Sequence, residues 1–334
     1  MPLNPKAKLD PKILDLASLE QAPTRNGYGE GLVMAADENP NVVALCADLI
    51  ESTRTEAFVK KYPERFVEMG VAEQNLASVA AGMALMGKIP YISSYAMFSP
   101  GRNWEQIRTT IAYNEANVKI CGAHAGVSVG PDGATHQAIE DMAIIRPIAN
   151  MQVFSPCDAH EAAKITHAVS KIDGPCYIRY AREKTPVFTT DATPFEIRRA
   201  QVFWTEPGRA KPDAVIIACG PLVHNAILAA AELEREGVKI RVINNPSVKP
   251  LDEETLLKAA KDAKAIVTAE EHQVAGGMGS AVAEFLARSC PVPMEFIGVQ
   301  NLFGQSGTPA ELIEHYGMGV AHIKDAVKKV IARK

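Results

Sequence analysis

One glycine-rich segment near the middle of the chain carries two imidazoles and a carboxylate. It reads GAHAGVSVGPDGATHQAIED, residues 122–141, and the polar groups belong to His124, Asp132 and His136. Glycines let the backbone approach a ligand closely, and binding groups concentrate on loops that a rigid scaffold holds. The alternative is that His136 caps the following helix and His124 is an ordinary loop histidine. The three groups together favour a site for a polar ligand.

The acid Glu73 lies in the stretch FVEMGVAEQNLASVAAGMALMG, residues 66–87, where it follows a glycine-led turn and begins a predicted helix. The helix macrodipole alone favours an acid in a first turn, by about 0.3–1 kcal/mol. Its neighbours are small and apolar, however, and a carboxyl group held among them could keep a proton near neutral pH. Such an acid suits proton exchange with a heterocyclic nitrogen.

Aromatic side chains follow a predicted strand in SSYAMFSPGRNW, residues 93–104. Tyr95 and Phe98 could wall a pocket for a flat ring, or they could pack in the core at the strand end.

A second glycine-rich segment, GGMGSAVAEFL at 276–286, lacks the spacing of a dinucleotide-binding loop, so we predict a tight turn from strand to helix. The sequence contains no P-loop, zinc-ligand spacing or hydrolase nucleophile elbow.

The composition is that of a globular protein long enough for two domains, with 334 residues, 47% hydrophobic and 22% charged. The net charge of −4 is spread without long like-charge blocks, which argues against nucleic acid or an anionic membrane as a partner. No segment has the pattern of a signal peptide or a membrane span. The six cysteines show no C-x-x-C spacing, so we expect reduced thiols in a cytoplasmic protein.

Short apolar runs alternate with helical patterns along the whole chain. NVVALCADL and IPYISSY are predicted strands, and NWEQIRTTIAYN is a predicted helix. Another helix is predicted over AEQNLASVAAGMALM, with one buried side formed by Leu76, Val79, Ala80 and Met83. Asp158 is the expected N-cap of a further helix, with Glu161 three residues on. This alternation predicts an α/β fold with mostly parallel sheets flanked by helices.

The pattern divides into two domains. The first is predicted over residues 20–190 and the second over residues 212–334. Residues 191–211 carry prolines, threonines and charges without a helical period, which is typical of a linker with a short hairpin or edge strand.

Five segments occur in the order found in transketolases: VALCADL, GVAEQN, YISSYAMF, GPDGATHQAIED and YARE. The first half of the chain resembles the pyrimidine-binding domain of that family, and the second half resembles its C-terminal domain. The resemblance implies a thiamine diphosphate cofactor. Glu73 matches the acid that hydrogen-bonds the aminopyrimidine, Tyr95 and Phe98 match the pocket around that ring, and His136 matches a catalytic histidine near the cofactor's amino group.

The same resemblance implies residues that bind substrate. His124 and Asp132 match positions that hydrogen-bond sugar hydroxyls. Arg25, Ser52 and Arg182 match positions that hold the sugar phosphate, for which the planar guanidinium fork of arginine is well suited. No metal ligand is expected on this chain.

Two departures from the family pattern qualify this assignment. Full-length members are about twice as long, and their other half binds the diphosphate through Mg²⁺ (or Ca²⁺) with a G-D-G motif that this sequence lacks. The chain therefore resembles the C-terminal subunit of a split transketolase, and we expect a separate N-terminal subunit, an α2β2 assembly with self-contact, and sugar phosphates as substrates. Gly101 stands where an aromatic residue is usual.

Two other functions are compatible with these residues. Thiamine-dependent relatives such as deoxyxylulose-phosphate synthase or the β subunit of 2-oxo acid dehydrogenases share the acid and both domains. The loop with His124, Asp132 and His136 favours transketolase over these enzymes. A non-catalytic regulatory α/β subunit is the second alternative.

Overall fold

A computed structural model describes residues 3–205 and 211–334 of the chain. Its main features are two sheets of mostly parallel strands with helices packed against them, one of seven strands and one of five. The predicted fold class, α/β with two domains of this kind, is confirmed.

The first part of the chain contributes eight strands and six α-helices. In chain order they are β1 (Gln21–Ala22), α1 (Thr24–Glu38), β2 (Val42–Cys46), α2 (Glu56–Lys61), β3 (Phe66–Glu68), α3 (Glu73–Leu85), β4 (Ile89–Tyr95), α4 (Trp104–Gln106), β5 (Lys119–Ala123), α5 (Asp141–Ile145), β6 (Gln152–Phe154), α6 (Ala159–Val169), β7 (Cys176–Arg179) and β8 (Thr185–Pro186). Short 3-10 helices cover Pro5–Ala7, Pro63–Arg65 and Val127–Asp132, and a π-helix covers Ile107–Ala112.

The second part contributes six strands and five α-helices. They are β9 (Gln201–Trp204), β10 (Ala214–Ala218), α7 (Leu222–Arg235), β11 (Ile240–Asn244), β12 (Ser247–Lys249), α8 (Glu253–Ala263), β13 (Ile266–Gln273), α9 (Met278–Ser289), β14 (Met294–Val299), α10 (Pro309–His315) and α11 (Val320–Ala332).

The strand order of the larger sheet is β12-β6-β7-β5-β4-β2-β3, and that of the smaller sheet is β14-β13-β10-β11-β9. The central strands β2, β5 and β10 are buried along their whole length, because parallel strands covered by helices on both faces need continuous apolar runs. Among the described residues, one strand in each of these sheets runs antiparallel to its neighbour, β12 beside β6 and β9 beside β11. Both lie at an edge.

The predicted linker, 191–211, extends over residues 206–210, which lie outside the described residues. Its predicted edge strand is confirmed as β9, which pairs with β11 of the smaller sheet. A feature that we did not predict is β12, because it comes from the second part of the chain and extends the larger sheet. The two parts of the chain therefore share a sheet as well as a core.

Helices α1 and α6 cross closely on one face of the larger sheet. A Cβ atom at Gly27 would lie 2.0 Å from the Ala159 carbonyl oxygen, and one at Gly31 would lie 2.5 Å from that of Ala163. Glycine is needed at this crossing because any side chain would push the two helices apart. The crossing fixes the N-terminus of α1, which carries Arg25, relative to the sheet.

The start of α6 joins the two parts of the chain. Asp158 accepts a hydrogen bond from the Glu161 amide (2.9 Å), which confirms it as the N-cap. The buried Glu161 carboxyl accepts hydrogen bonds from the Cys157 amide (2.7 Å) and from Asn244 Nδ2 (2.6 Å), at the end of β11. Burial raises the pKa of Glu161 to about 7. The predicted capping acid therefore serves as a contact between domains.

Two helical predictions need correction. The helix predicted over 103–114 has only one α-helical turn, after which the chain forms the π-helix, in which Ile107 and Ile111 are buried and Arg108 is exposed. In α3, Val79 is exposed and not part of the buried side. In the described ranges, no helix has both the length and the apolar character needed to cross a membrane.

Candidate functional site

The predicted site residues come from different elements that meet at one edge of the larger sheet. Arg25 lies in the first turn of α1, Tyr95 is the last residue of β4, and His124 directly follows β5. Arg182 lies three residues beyond β7, and Ser52 lies in the loop between β2 and α2. The carboxyl ends of parallel strands form this edge, which is where ligands bind in open α/β sheets.

Glu73 is the first residue of α3 and is only 1% exposed. Its carboxylate accepts a hydrogen bond from the Ser94 hydroxyl (3.0 Å) and pairs with Arg102 Nη1 (2.7 Å). Asn103 Nδ2 donates to the Glu73 carbonyl oxygen (3.0 Å). Sequence reasoning missed Arg102, whose guanidinium lies directly against this carboxylate and is itself 47% exposed.

Four rings form a cluster beside this acid. The ring centroids of Tyr95 and His124 are 3.8 Å apart and nearly parallel, and those of Tyr95 and Phe98 are 6.0 Å apart. His136 meets the Phe98 ring edge-on, with centroids 5.5 Å apart. The Arg102 guanidinium lies 4.7 Å from the Phe98 centroid, so it connects the acid to the ring cluster. The structure therefore brings together the predicted acid, both predicted aromatics and both predicted histidines.

The His124 side chain is buried and held in an unusual backbone conformation, with φ at +56°. Its Nε2 lies 3.5 Å from Arg25 Nη1, and its Nδ1 is buried without a partner in the described part of the chain. Burial and the charges of Arg25 and Arg182 lower the pKa of His124 to about 3. The imidazole is therefore neutral at physiological pH, and its unpaired nitrogen can bind a polar group of a ligand.

Three guanidinium groups surround this histidine. Arg25 Nη1 donates to the Ser52 carbonyl oxygen (2.6 Å), and burial together with the charges of Arg54 and Arg182 lowers the pKa of Arg25. Arg182 also forms an ion pair with Glu183, and an anion bound between the three guanidinium groups would further reduce the repulsion between them. Arg54 was not predicted, although it lies two residues after Ser52 in the same loop, with φ at +64°.

The remaining predicted residues lie at the outer side of the site. His136 is half-buried, and its Nδ1 is 3.0 Å from the Thr135 hydroxyl. Asp132 is exposed at the end of the 3-10 helix and stands apart from the ring cluster. Gly101 lies in a tight turn, where a Cβ atom would be 1.9 Å from the Met97 carbonyl oxygen. An aromatic residue at position 101 would not fit this turn.

The glycine-rich turn at 276–286 is a tight turn, as predicted, and its amides are already bonded. Met278 N and Gly279 N, in the first turn of α9, donate to the buried Glu270 carboxylate at 2.6 Å and 2.7 Å. Within residues 3–205 and 211–334, no group of three or more His, Cys, Asp or Glu side chains is placed to hold a metal ion.

Comparisons with known proteins assign the chain to a family. Residues 20–187 match the model of the family "Transketolase, pyrimidine binding domain", and residues 205–323 match that of "Transketolase, C-terminal domain". The "Putative transketolase C-terminal section" of Methanocaldococcus jannaschii is 40% identical over 88% of this chain and 92% of its own length. The "6-deoxy-6-sulfo-D-fructose transketolase subunit SqwH" of Clostridium sp. is 37% identical over 95% of this chain and 97% of its own length.

A solved structure has the same fold. It is described as "Split gene transketolase, inactive beta4 tetramer", is 45% identical, and superimposes with a TM-score of 0.85 over 93% of this chain and 98% of its own. The chain therefore belongs to the transketolase family and comprises its pyrimidine-binding and C-terminal domains.

Proposed function

We propose that this chain is one subunit of a thiamine-diphosphate-dependent transketolase that transfers a two-carbon ketol unit from a ketose phosphate to an aldose phosphate. The observation that carries the proposal is the buried Glu73 carboxylate, which Arg102 links to the stacked rings of Tyr95 and Phe98. An acid and aromatic walls in this arrangement suit a flat, nitrogen-containing ring. Family membership supports the same cofactor.

The residues present fit the pyrimidine half of the cofactor. Tyr95 and Phe98 offer ring faces, and Glu73 offers a carboxyl oxygen once Arg102 turns away, which its 47% exposure allows. When bound, thiamine diphosphate supplies a nucleophilic carbon and an electron sink for breaking the bond next to a ketose carbonyl. In this proposal Glu73 hydrogen-bonds the pyrimidine nitrogen, and His136 holds or moves a proton next to the substrate.

The basic cluster fits the phosphate of a sugar. Arg25, Arg54 and Arg182 lie around His124, and a phosphate between them would offset their mutual repulsion. The neutral His124 can hydrogen-bond a sugar hydroxyl through its unpaired Nδ1. We propose a similar contact for Asp132, whose exposed position suits the far end of a substrate.

We propose that a separate N-terminal subunit completes the cofactor site by binding the diphosphate and Mg²⁺ (or Ca²⁺). The related structure is described as a split-gene transketolase in an inactive β4 tetramer, and inactivity is expected of a chain that holds only the pyrimidine half of the site. The free cysteines suit a reducing cytoplasm, where we place the protein.

An apolar surface supports the proposed α2β2 assembly. Four apolar side chains at or near the two ends of α3 and after the π-helix are strongly exposed: Val71 by 70%, Leu85 by 65%, Met86 by 84% and Tyr113 by 82%. Large apolar side chains left exposed near one another are typical of protein–protein contacts, and these four flank one helix and its neighbour. Self-contact across this region would bring two copies of the Glu73 region close to each other.

The test combines this chain with a partner chain that carries a G-D-G motif. Assembly should produce ketol transfer between sugar phosphates, with no release of CO₂ from pyruvate. Glu73→Ala should lower turnover about 10²–10⁴-fold, the usual contribution of an acid–base group, without preventing assembly. Glu105→Gln, at an exposed position nearby, is the control. Pyruvate decarboxylation instead of ketol transfer, or full turnover by Glu73→Ala, would refute the proposal.

A further inference from the structure

The loop that carries both histidines, residues 124–137, is held by the second half of the chain. We call it the histidine loop. Glu271 lies near the end of β13 in the smaller sheet, and its buried carboxylate oxygen Oε1 accepts a hydrogen bond from the Ser128 amide (2.6 Å). Ser128 lies in the first turn of the 3-10 helix Val127–Asp132. A carboxylate from another domain therefore caps this short helix.

Gly126, which precedes the helix, has no side chain with which to cap it. Its φ is +92°, and a Cβ atom there would lie 2.2 Å from Glu271 Oε1. The carboxylate therefore packs directly against the Gly126 backbone and also accepts the hydrogen bond from the Ser128 amide. Glycine is required here both for its backbone conformation and for the space that the carboxylate occupies.

The other end of the histidine loop is held by Gln137, which is buried. Its Nε2 donates to the carbonyl oxygens of Val127 (3.0 Å), Gly130 (3.3 Å) and Gln305 (2.9 Å). Gln305 lies between β14 and α10, so this amide also connects the loop to the second half of the chain. A Cβ atom at Gly133 would lie 2.8 Å from Ser306 Oγ, so the loop packs closely against the same segment.

The conformation of His124 explains why such a clamp matters. A non-glycine residue with positive φ persists only where the surrounding structure holds it, and His124 is two residues before Gly126. Its stacking on Tyr95 at 3.8 Å depends on that backbone conformation. If the start of the loop moves, the imidazole leaves both the ring cluster and the arginines.

We propose that Glu271 is a positioning residue, which fixes the start of the histidine loop and thereby holds His124 and His136 in the site. The catalytic part of this inference rests on the function proposed above. Arg179 lies close to Glu271, since its Nη2 donates to the Glu271 carbonyl oxygen (2.7 Å), and its guanidinium forms an ion pair with Asp141 (2.9 Å). Burial raises the pKa of Glu271, and Arg179 opposes that shift.

The chain contains a matched control in the adjacent residue. Glu270 is equally buried, and its carboxylate also accepts backbone amides, but these belong to α9 and not to the histidine loop. Loss of either carboxylate should destabilise the fold to a similar extent. Only the loss of Glu271 should release the loop.

The experiment measures hydrogen–deuterium exchange of the full chain for residues 124–137. Glu271→Gln keeps an acceptor oxygen and should exchange like the wild type. Glu271→Leu removes the acceptor at similar volume, and amides at the start of the loop should exchange about 10–100-fold faster, the factor that corresponds to a hydrogen bond to a charged group. Glu270→Leu should speed exchange at the start of α9 and leave the histidine loop unchanged. Equal loop exchange in the two leucine variants would overturn the proposal.

Ketol transfer by the assembly with the partner chain is the second readout. Glu271→Leu should lower kcat about 100-fold, as expected for misplaced catalytic groups, whereas Glu271→Gln should restore it. A kcat equal to that of the wild type despite a loosened loop would overturn the positioning role. If the wild-type assembly transfers no ketol unit, the proposed function fails, and the exchange data still decide whether Glu271 clamps the loop. Glu271→Asp is the milder variant should Glu271→Leu not fold, and unchanged loop exchange in it would also count against the clamp.

Discussion

Replacement of Glu161 by glutamine should make the protein more stable above neutral pH. The carboxyl is fully buried between α6 and β11, and its pKa rises from 4.5 to about 7 because burial disfavours the charge. The folded state therefore binds this proton more tightly than the unfolded state does. The stabilisation that the protonated Glu161 contributes to the folded state is complete below pH 4.5 and is lost as the pH rises through 7. A shift of about 2.5 pH units corresponds to about 3 kcal/mol of unfolding free energy.

Glutamine suits the position because it can make both contacts of Glu161 without a charge. Its carbonyl oxygen can accept the Cys157 amide, and its amide can donate to Asn244 Oδ1 once the Asn244 side chain is turned end for end. That Oδ1 is buried without a partner in the described structure. Glu161→Gln should therefore remove the loss of unfolding free energy that ionisation of the buried carboxyl causes at higher pH. The contact between the domains should be kept.

The assay is urea unfolding of the wild type, Glu161→Gln and Glu30→Gln between about pH 5 and about pH 8. Glu30 is exposed on α1 and controls for the loss of one acidic group. The free-energy difference between Glu161→Gln and wild type should grow by about 2.5 kcal/mol across this range in favour of the variant. Parallel pH curves for these two proteins would refute the reasoning, since Glu161 would then titrate alike in the folded and unfolded states.

Two further predictions concern the ligand site. In the assembled enzyme, Arg25→Met should raise KM for a phosphorylated sugar about 10–100-fold with little change in kcat, because the lost contact is made equally in ground and transition states. The same variant should behave like wild type with the unphosphorylated sugar, and an equal loss with both would exclude Arg25 from the phosphate site. His124 should show no titration in histidine NMR spectra between about pH 5 and about pH 8, since its pKa is lowered to about 3. A midpoint near 6.5 would contradict its burial among arginines.

Local patterns were sufficient for most of the elements. Asp158 was recognised as an N-cap because the cap and the amide that it accepts lie three residues apart. Strand β12 was not recognised, because its only reason to be a strand is β6, which lies far away in the sequence. The π-helix was also missed, since the apolar spacing of residues 104–111 fits an α-helix equally well.

In the site, too, features set by local sequence were predictable and features set by distant contacts were not. Residue type and loop position were enough to select His124 and His136, and the structure brings their rings to Tyr95 and Phe98. The contact of Arg102 with Glu73 was not predictable, because it depends on how the chain turns back after β4. The clamp on the histidine loop was also hidden, since its acid lies in the other half of the chain.

The shared sheet also constrains how this protein can be made on the ribosome. Val153 of β6 pairs with Lys249 of β12, about 95 residues later, so at about 5–20 residues per second the edge of β6 waits roughly 5–20 s for its neighbour. An unpaired strand edge is a template for pairing with other chains. Nascent or truncated chains that end between these two strands are therefore the forms of this protein in which we expect aggregation and dependence on chaperones.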